Sequence, residues 1–310
     1  MQGCKDVRTQ LSLLQPYNWI HVKQLTGGAS NEAASLLNVC PRSYFHMPNE
    51  EMISILRRRF QIKDPDISNG LKCKCGNNID PYGWHLQTCR KFSKFCIRTH
   101  EEIKSSVGRI LQIARVRHNY EILPFKDRDD EKTLKRLDIV MQNPRIIKAN
   151  STSSQGLIDV TITNSVESTM GWMDNDKDII ELEDGDDIVL PDHSKAATVI
   201  GGSAKKAEHN KLRKYETLAK QHDKDVFPMG FETQGTWGPG THKVFDALMK
   251  RIGDVNNPDK VSQQMKSHYW RQHLTFILHK YVARHIIDAF ATIPLTSISN
   301  NTTPNYSDFD

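Results

Sequence analysis

No stretch of the chain approaches the roughly 18 consecutive apolar residues of a membrane span. The first residues also lack the charged, then apolar, then small-residue succession of a secretory signal. These two absences predict an intracellular protein without a membrane partner. Cysteine is scarce, with six in 310 residues, which in an intracellular chain argues against a disulfide framework. There is no internal repeat, which excludes a solenoid or propeller. Charge of one sign does not dominate either. The 42 Lys and Arg against 37 Asp and Glu leave a net +5, which permits a polyanionic partner without requiring one.

What is present is enough apolar residue, 37 %, to bury a core, and length for about two domains. Charge is segregated along the chain. Acidic residues crowd into Asp174–Asp187, and basic residues gather at Arg57–Arg59 and Lys205–Lys220. Residues 1–70 read as a helical linker, with Met52, Ile55, Leu56 and Phe60 at helical spacing after Pro48. An amphipathic helix follows over Phe95–Ala114, its stripe formed by Ile103, Val107, Ile110, Leu111 and Ala114. Tyr120–Pro124, Arg136–Met141, Leu157–Thr163 and Asp225–Glu232 read as strands. Ala204–His222 reads as a basic helix, Gln234–Gly240 as a turn, and His242–Ile252 and Asp259–Ala289 as two further helices. The stretch 165–195 is an acidic insertion without periodicity. The Ser/Thr/Asn-rich tail, 291–310, reads as disordered.

Two constellations carry chemistry. Cys73, Cys75, His85 and Cys89 fall in a segment, 71–92, with too few apolar residues to hold itself together. Three thiolates and an imidazole form a closed tetrahedral set for structural zinc, with Cys96 as a spare ligand and Cys4 and Cys40 as ordinary residues. Asp138 and Asp159 each interrupt a strand that otherwise wants burial. A carboxylate there is costly unless a cation or hydrogen bonds compensate. Two on adjacent strands could share one Mg²⁺. Lys211 and Lys214, three apart on one helix face, could hold a phosphate or orient an attacking water. Edge aspartates and a solvated basic helix are the plainer reading of the same residues.

Taken together, Cys-x-Cys-Gly, Asp-Pro-x-Gly-x-His-x3-Cys, Arg136-x-Asp138, Ile158-Asp159-Val160-Thr161-Ile162-Thr163, Lys211-x-x-Lys214-Tyr215 and Phe231-Glu232-Thr233-x-Gly235-x-Trp237-Gly238 resemble one family. It is the restriction-like endonuclease domain of site-specific non-LTR retrotransposons, found there after the reverse transcriptase. The likeness covers about Leu71–His285, and the segment 1–70 is similar to the linker after a polymerase thumb.

The resemblance implies an α/β (α+β) fold of the PD-(D/E)XK type, a mixed sheet flanked by helices over 93–290 and preceded by the zinc knuckle. It implies a nucleus-localised nuclease that nicks double-stranded DNA to prime reverse transcription, with element RNA as a further partner. Asp138 and Asp159 would hold catalytic Mg²⁺ or Mn²⁺, and the catalytic lysine would sit on the helix, at Lys211 or Lys214, since Thr161 stands where the short-range pattern has lysine. Arg136, Arg213 and Tyr215 would contact DNA. Glu102 and Glu232 are further acids that could reach the metal, and Trp237 and Trp270 pack in the core or stack on bases. Leu137 departs from the family's usual proline, and the acidic insertion is long. The alternative is a catalytically inactive zinc-containing nucleic-acid-binding protein.

Overall fold

A computed structural model describes residues 17–18, 28–38, 45–60, 62–67, 71–120, 137–164, 179–180, 199–256 and 260–293. Arg136, most of the acidic insertion, and the tail beyond residue 293 lie outside the described residues. Short pairs at the outset are β1 (Tyr17–Asn18) and α1 (Asn31–Ser35), followed by α2 (Asn49–Arg59), α3 (Trp84–Thr88) and the long α4 (Ser93–Ile113). Then come β2 (His118–Tyr120), β3 (Ile139–Gln142), β4 (Gln155–Thr163), β5 (Ile179–Ile180, paired with β1), α5 (Gly202–Gln221) and β6 (Lys224–Glu232). Helices α6 (Pro239–Asn256) and α7 (Lys260–Ala291) close the chain.

The sheet is four-stranded and mixed, in the order β2-β3-β4-β6. β2 and β4 run antiparallel to β3, and β6 runs parallel to β4, so α5 serves as the crossover. The fold class expected from the sequence, α/β with a mixed sheet and flanking helices, is what the chain adopts. Alternation along the strands assigns the two faces. Ile139, Met141, Ile158, Val160, Phe227 and Met229 face the main core beside α4, α6 and α7. Val140, Leu157 and Val226 face α5, where Tyr215 and Ala219 close a smaller cluster.

The three segments read from the sequence share one core. Leu36 and Ile55 from the supposed linker, Leu71 and Leu86 from the knuckle, and Leu274 from α7 belong to the same buried cluster as the sheet. Ion pairs fasten the contact, Arg271 to Glu32 at 2.7 Å and Arg284 to Glu50 at 2.8 Å. The Arg57–Arg59 cluster is therefore not a surface for a polyanion. Arg58 is buried and donates to the Ser54 carbonyl, Arg59 donates to the carbonyls of Ala33 and Gly28, and Arg57 pairs with Asp64.

Strand β3 starts at Ile139, three residues later than the sequence suggests, because Asp138 leaves the ladder to use its side chain. Helix α6 begins inside the expected turn, at Pro239. Its start is held by Glu208 of α5, whose carboxylate accepts the backbone N–H groups of Gly230, Gly240 and Thr241 at 2.8–3.0 Å. Burial pushes the Glu208 carboxyl up, and these donors oppose the shift. A side chain at Gly230 has no room, since its Cβ would stand 2.7 Å from the Ala204 carbonyl oxygen. Replacing Glu208 by Ala strands these buried donors, so Glu208→Ala should cost about 3 kcal/mol in a denaturant melt. Glu208→Gln, which keeps one acceptor, should cost less.

Candidate metal centre and acidic cleft

The knuckle is a turn closed by backbone bonds. The Cys73 N–H donates to the Asn77 carbonyl at 2.8 Å and the Gly76 N–H to the Cys73 carbonyl at 2.8 Å. Gly76 sits at φ +92° and Gly83 at φ +71°, conformations that favour glycine. Asp80 then caps α3. Its Oδ1 accepts from Tyr82 and Trp84, and its Oδ2 accepts from the His85 N–H at 2.7 Å. This fixes the helix turn that presents His85.

The result is a cluster in which the ligand atoms of Cys73, Cys75, His85 and Cys89 all lie within 4.8 Å of one another. Cys73 Sγ is 3.6 Å from Cys89 Sγ, and Cys75 Sγ is 3.2 Å from His85 Nε2. No disulfide joins them, since these cysteines are free. Ligand bonds of about 2.0–2.3 Å set ligand-to-ligand separations of this order around a tetrahedral zinc. Burial pushes the Cys73 thiol up to about 12 and the His85 imidazole down. A lowered imidazole is the neutral ligand form, and only a cation would hold Cys73 as thiolate. The Cys3His group could hold a metal ion such as zinc. The spare ligand Cys96 is not part of it, its Sγ lying 3.6 Å from His285 Nδ1 and 3.6 Å from the Gln87 carbonyl.

The second constellation forms at the end of the β3–β4 ladder. Ile139 pairs with Ile158, so one step further sets Asp138 across from Asp159. The Asp138 Oδ2 accepts from the Val160 N–H at 2.7 Å and lies 3.1 Å from His100 Nε2 on α4. Asp159 is buried, and its Oδ2 lies 2.7 Å from Lys211 Nζ of α5. That contact is an ion pair without an aligned hydrogen bond, because the same oxygen finds no donor in hydrogen-bonding geometry. Burial raises the Asp159 carboxyl, an effect that outweighs Lys211, and Asp138 raises it further. Burial lowers Lys211, but Asp159 more than offsets this, so its ammonium is held charged. Burial likewise lowers His100, and its bond to Asp138 reverses the sign, so the imidazole ends up raised.

His100 and Lys211 line a cleft of about 660 Å³ together with Glu101, Val160, Thr161 and Thr233, among others, and connect it to Asp138 and Asp159, which do not line it themselves. The far wall belongs to the knuckle. Asn164 Nδ2 donates to Gln87 Oε1 at 3.4 Å, and Thr233 Oγ1 donates to Asn164 Oδ1 at 3.4 Å. The knuckle, at Gln87 two residues after His85, is thus joined to the cleft through one short polar chain.

Several expected site residues stand elsewhere. Tyr215, expected to contact DNA, is 2 % exposed, on the inward face of α5 in the smaller core cluster. Lys214 is exposed, with Nζ 4.8 Å from the centre of the Tyr215 ring, and reaches Asp159 only through its charge. Arg213 is exposed on the same helix. Glu102 turns towards Tyr281 and Arg98, away from the acids. Glu232 is buried and accepts the N–H groups of Ser203 and Ala204 at the start of α5; burial pushes it up to about 7. Trp237 packs against Phe231 and Phe245 under Arg271, and Trp270 against Tyr269 and His273. His100 was missed. Its only sequence signal is a polar residue on the inner side of the α4 stripe.

If the Cys3His group carries zinc, purified protein should contain about one zinc per chain by elemental analysis, released by a thiol-reactive titrant. Cys73→Ser should lose the metal and melt at lower temperature, because metal binding contributes folding free energy. Full metal loading in Cys73→Ser would show that the cluster is not the site.

A scan against protein-family models finds no match for the chain, and a search of curated proteins finds none either.

Proposed function

We propose that the chain is a metal-dependent DNA endonuclease of the PD-(D/E)XK type that nicks duplex DNA. The observation that carries this reading is the convergence of Asp138, Asp159 and Lys211 from three separate segments, with Lys211 and the Asp138 partner His100 lining one cleft. The mixed sheet flanked by helices agrees with the architecture implied by the sequence resemblance. The donor set also fits a hard divalent cation: paired carboxylates, with one buried oxygen that has no aligned donor. Bound there, Mg²⁺ or Mn²⁺ would stabilise charge on a scissile phosphate and lower the pKa of the attacking water.

The chain's own groups divide the remaining work. The Val160 N–H and His100 hold the Asp138 carboxylate in one orientation. Lys211, held charged beside Asp159, is the lysine of choice for binding the phosphate or orienting the water. Lys214, further out, is left to contact the backbone. The priming nick of a retroelement is the narrower reading, with nuclear localisation and an RNA partner attached to it; it rests on the resemblance alone.

Supercoiled plasmid incubated with the full chain and Mg²⁺ should give open circle, and should not do so without the divalent ion. Asp138→Ala and Asp159→Ala should lose at least 100-fold in nicking rate, a typical scale for removing a preorganised charge-stabilising group, while circular dichroism shows the fold retained. Folded variants that still nick would sink the assignment. Wild-type protein that binds DNA without any Mg²⁺-dependent product would favour the inactive nucleic-acid-binding alternative. Lys211→Ala should cost far more activity than Lys214→Ala, and the reverse ranking would reassign the lysine.

A further inference from the structure

The acidic cleft has little to hold a polyanion with. Among its lining residues the one lysine or arginine is Lys211, already paired with Asp159. A second groove, of about 610 Å³, lies on another flank of α5, bounded by β6, the start of α6 and the segment after β3. At 100° per residue, Lys205, Leu212 and Glu216 stand about 100–140° around the helix from Lys211. Six lysines and arginines line this groove: Lys148, Lys205, Arg213, Lys220, Lys224 and Lys243. They face three carboxylates, Glu208, Glu216 and Asp225, so three of the chain's net +5 are concentrated here.

Each of the three carboxylates is already engaged. Glu208 is buried on backbone N–H groups of the chain. Asp225 accepts from Ser151 and, at 2.7 Å, from Lys148. Glu216 is paired with Lys220 at 2.6 Å, which lowers its pKa. Among the described residues, Lys205, Arg213 and Lys243 are exposed around the groove without a carboxylate paired to them. Positive charge on rigid elements, with its counter-charges spent internally, attracts the evenly spaced phosphates of a nucleic-acid backbone.

We infer that this groove is a phosphate-backbone site for duplex DNA, separate from the acidic cleft and joined to it by α5. It takes its occupant, a duplex, from the nuclease reading. Helix α5 then carries both functions, with Lys211 turned to the acids and Lys205 and Arg213 turned to DNA flanking the cut. The groove reads no base edges, so its binding is sequence-independent and salt-sensitive.

The test measures binding without cleavage. A fluorescently labelled 30-base-pair duplex is titrated with the full chain by anisotropy, without added Mg²⁺, over a series of salt concentrations. Each phosphate neutralised contributes about −0.9 to the slope of log K against log salt. Lys205→Glu/Lys243→Glu should therefore bind more weakly with a slope shallower by about 1.8. Lys205→Gln/Lys243→Gln should do the same if the double reversal fails to fold. Lys63→Glu/Lys250→Glu, with the same change in net charge outside the groove, should leave the slope near wild type.

Equal slopes for the groove and control variants would overturn the inference, as would an unchanged wild-type slope in both groove variants. Loss of single-stranded RNA binding with duplex binding intact would also overturn it, assigning the groove to RNA. Because no nick is read, a failed groove leaves the plasmid result standing, and a failed plasmid assay leaves the groove result standing.

Discussion

Two carboxylates held across from each other at the end of an apolar ladder are the constraint on which the rest of this structure depends. Asp159 lies on the α5 face of β4, in line with Leu157, where apolar side chains would cost nothing. Its burial demands compensation, and Lys211 supplies part of it. Asp138 obtains compensation differently, by standing just before the start of β3 and accepting the Val160 N–H. Helix α5 must therefore cross the sheet at the height that delivers Lys211. Glu208 on α5 secures that placement by accepting from β6 and the start of α6, and Glu232 at the end of β6 does so by accepting the N–H groups of α5's first turn.

Much of this was legible in the sequence because it is written in local pattern. Short runs rich in β-branched residues located β3 and β4, the run Asp225–Glu232 located β6, and the stripe from Ile103 to Ala114 located α4, each to within a few residues. The Cys3His group that could hold a metal was legible because Cys and His are chemically conspicuous and lie within 17 residues of chain. Asp138 and Asp159 stood out as polar residues in runs that should have been apolar.

What escaped was tertiary. Tyr215 sits in a basic helix and looks like a surface residue, yet its position on the inward face of α5 buries it. His100 looks like any polar residue of an amphipathic helix until α4 is laid against β4 and its ring meets Asp138. The basic residues gathered at Arg57–Arg59 are each engaged within the chain, by Asp64, by the Ser54 carbonyl and by the carbonyls of Ala33 and Gly28. Likewise the boundary at residue 70 reflects a change in composition, whereas burial ignores it, since Ile55 and Leu71 enter the same cluster as the sheet. Periodicity reports which way a residue points along its own element and says little about what waits there.

The polar chain from Gln87 through Asn164 to Thr233 couples two sites that differ in every chemical respect. Gln87 lies two residues after His85 on a helix of five residues, too short to persist without its cap and its ligands. Ordering the cysteine cluster therefore also orders one wall of the acidic cleft. If the Cys3His group holds a metal, then by linkage a ligand that favours this arrangement of the wall tightens the metal by the same factor. Occupancy of the cysteine cluster and the shape of the neighbouring cleft would then be one thermodynamic variable.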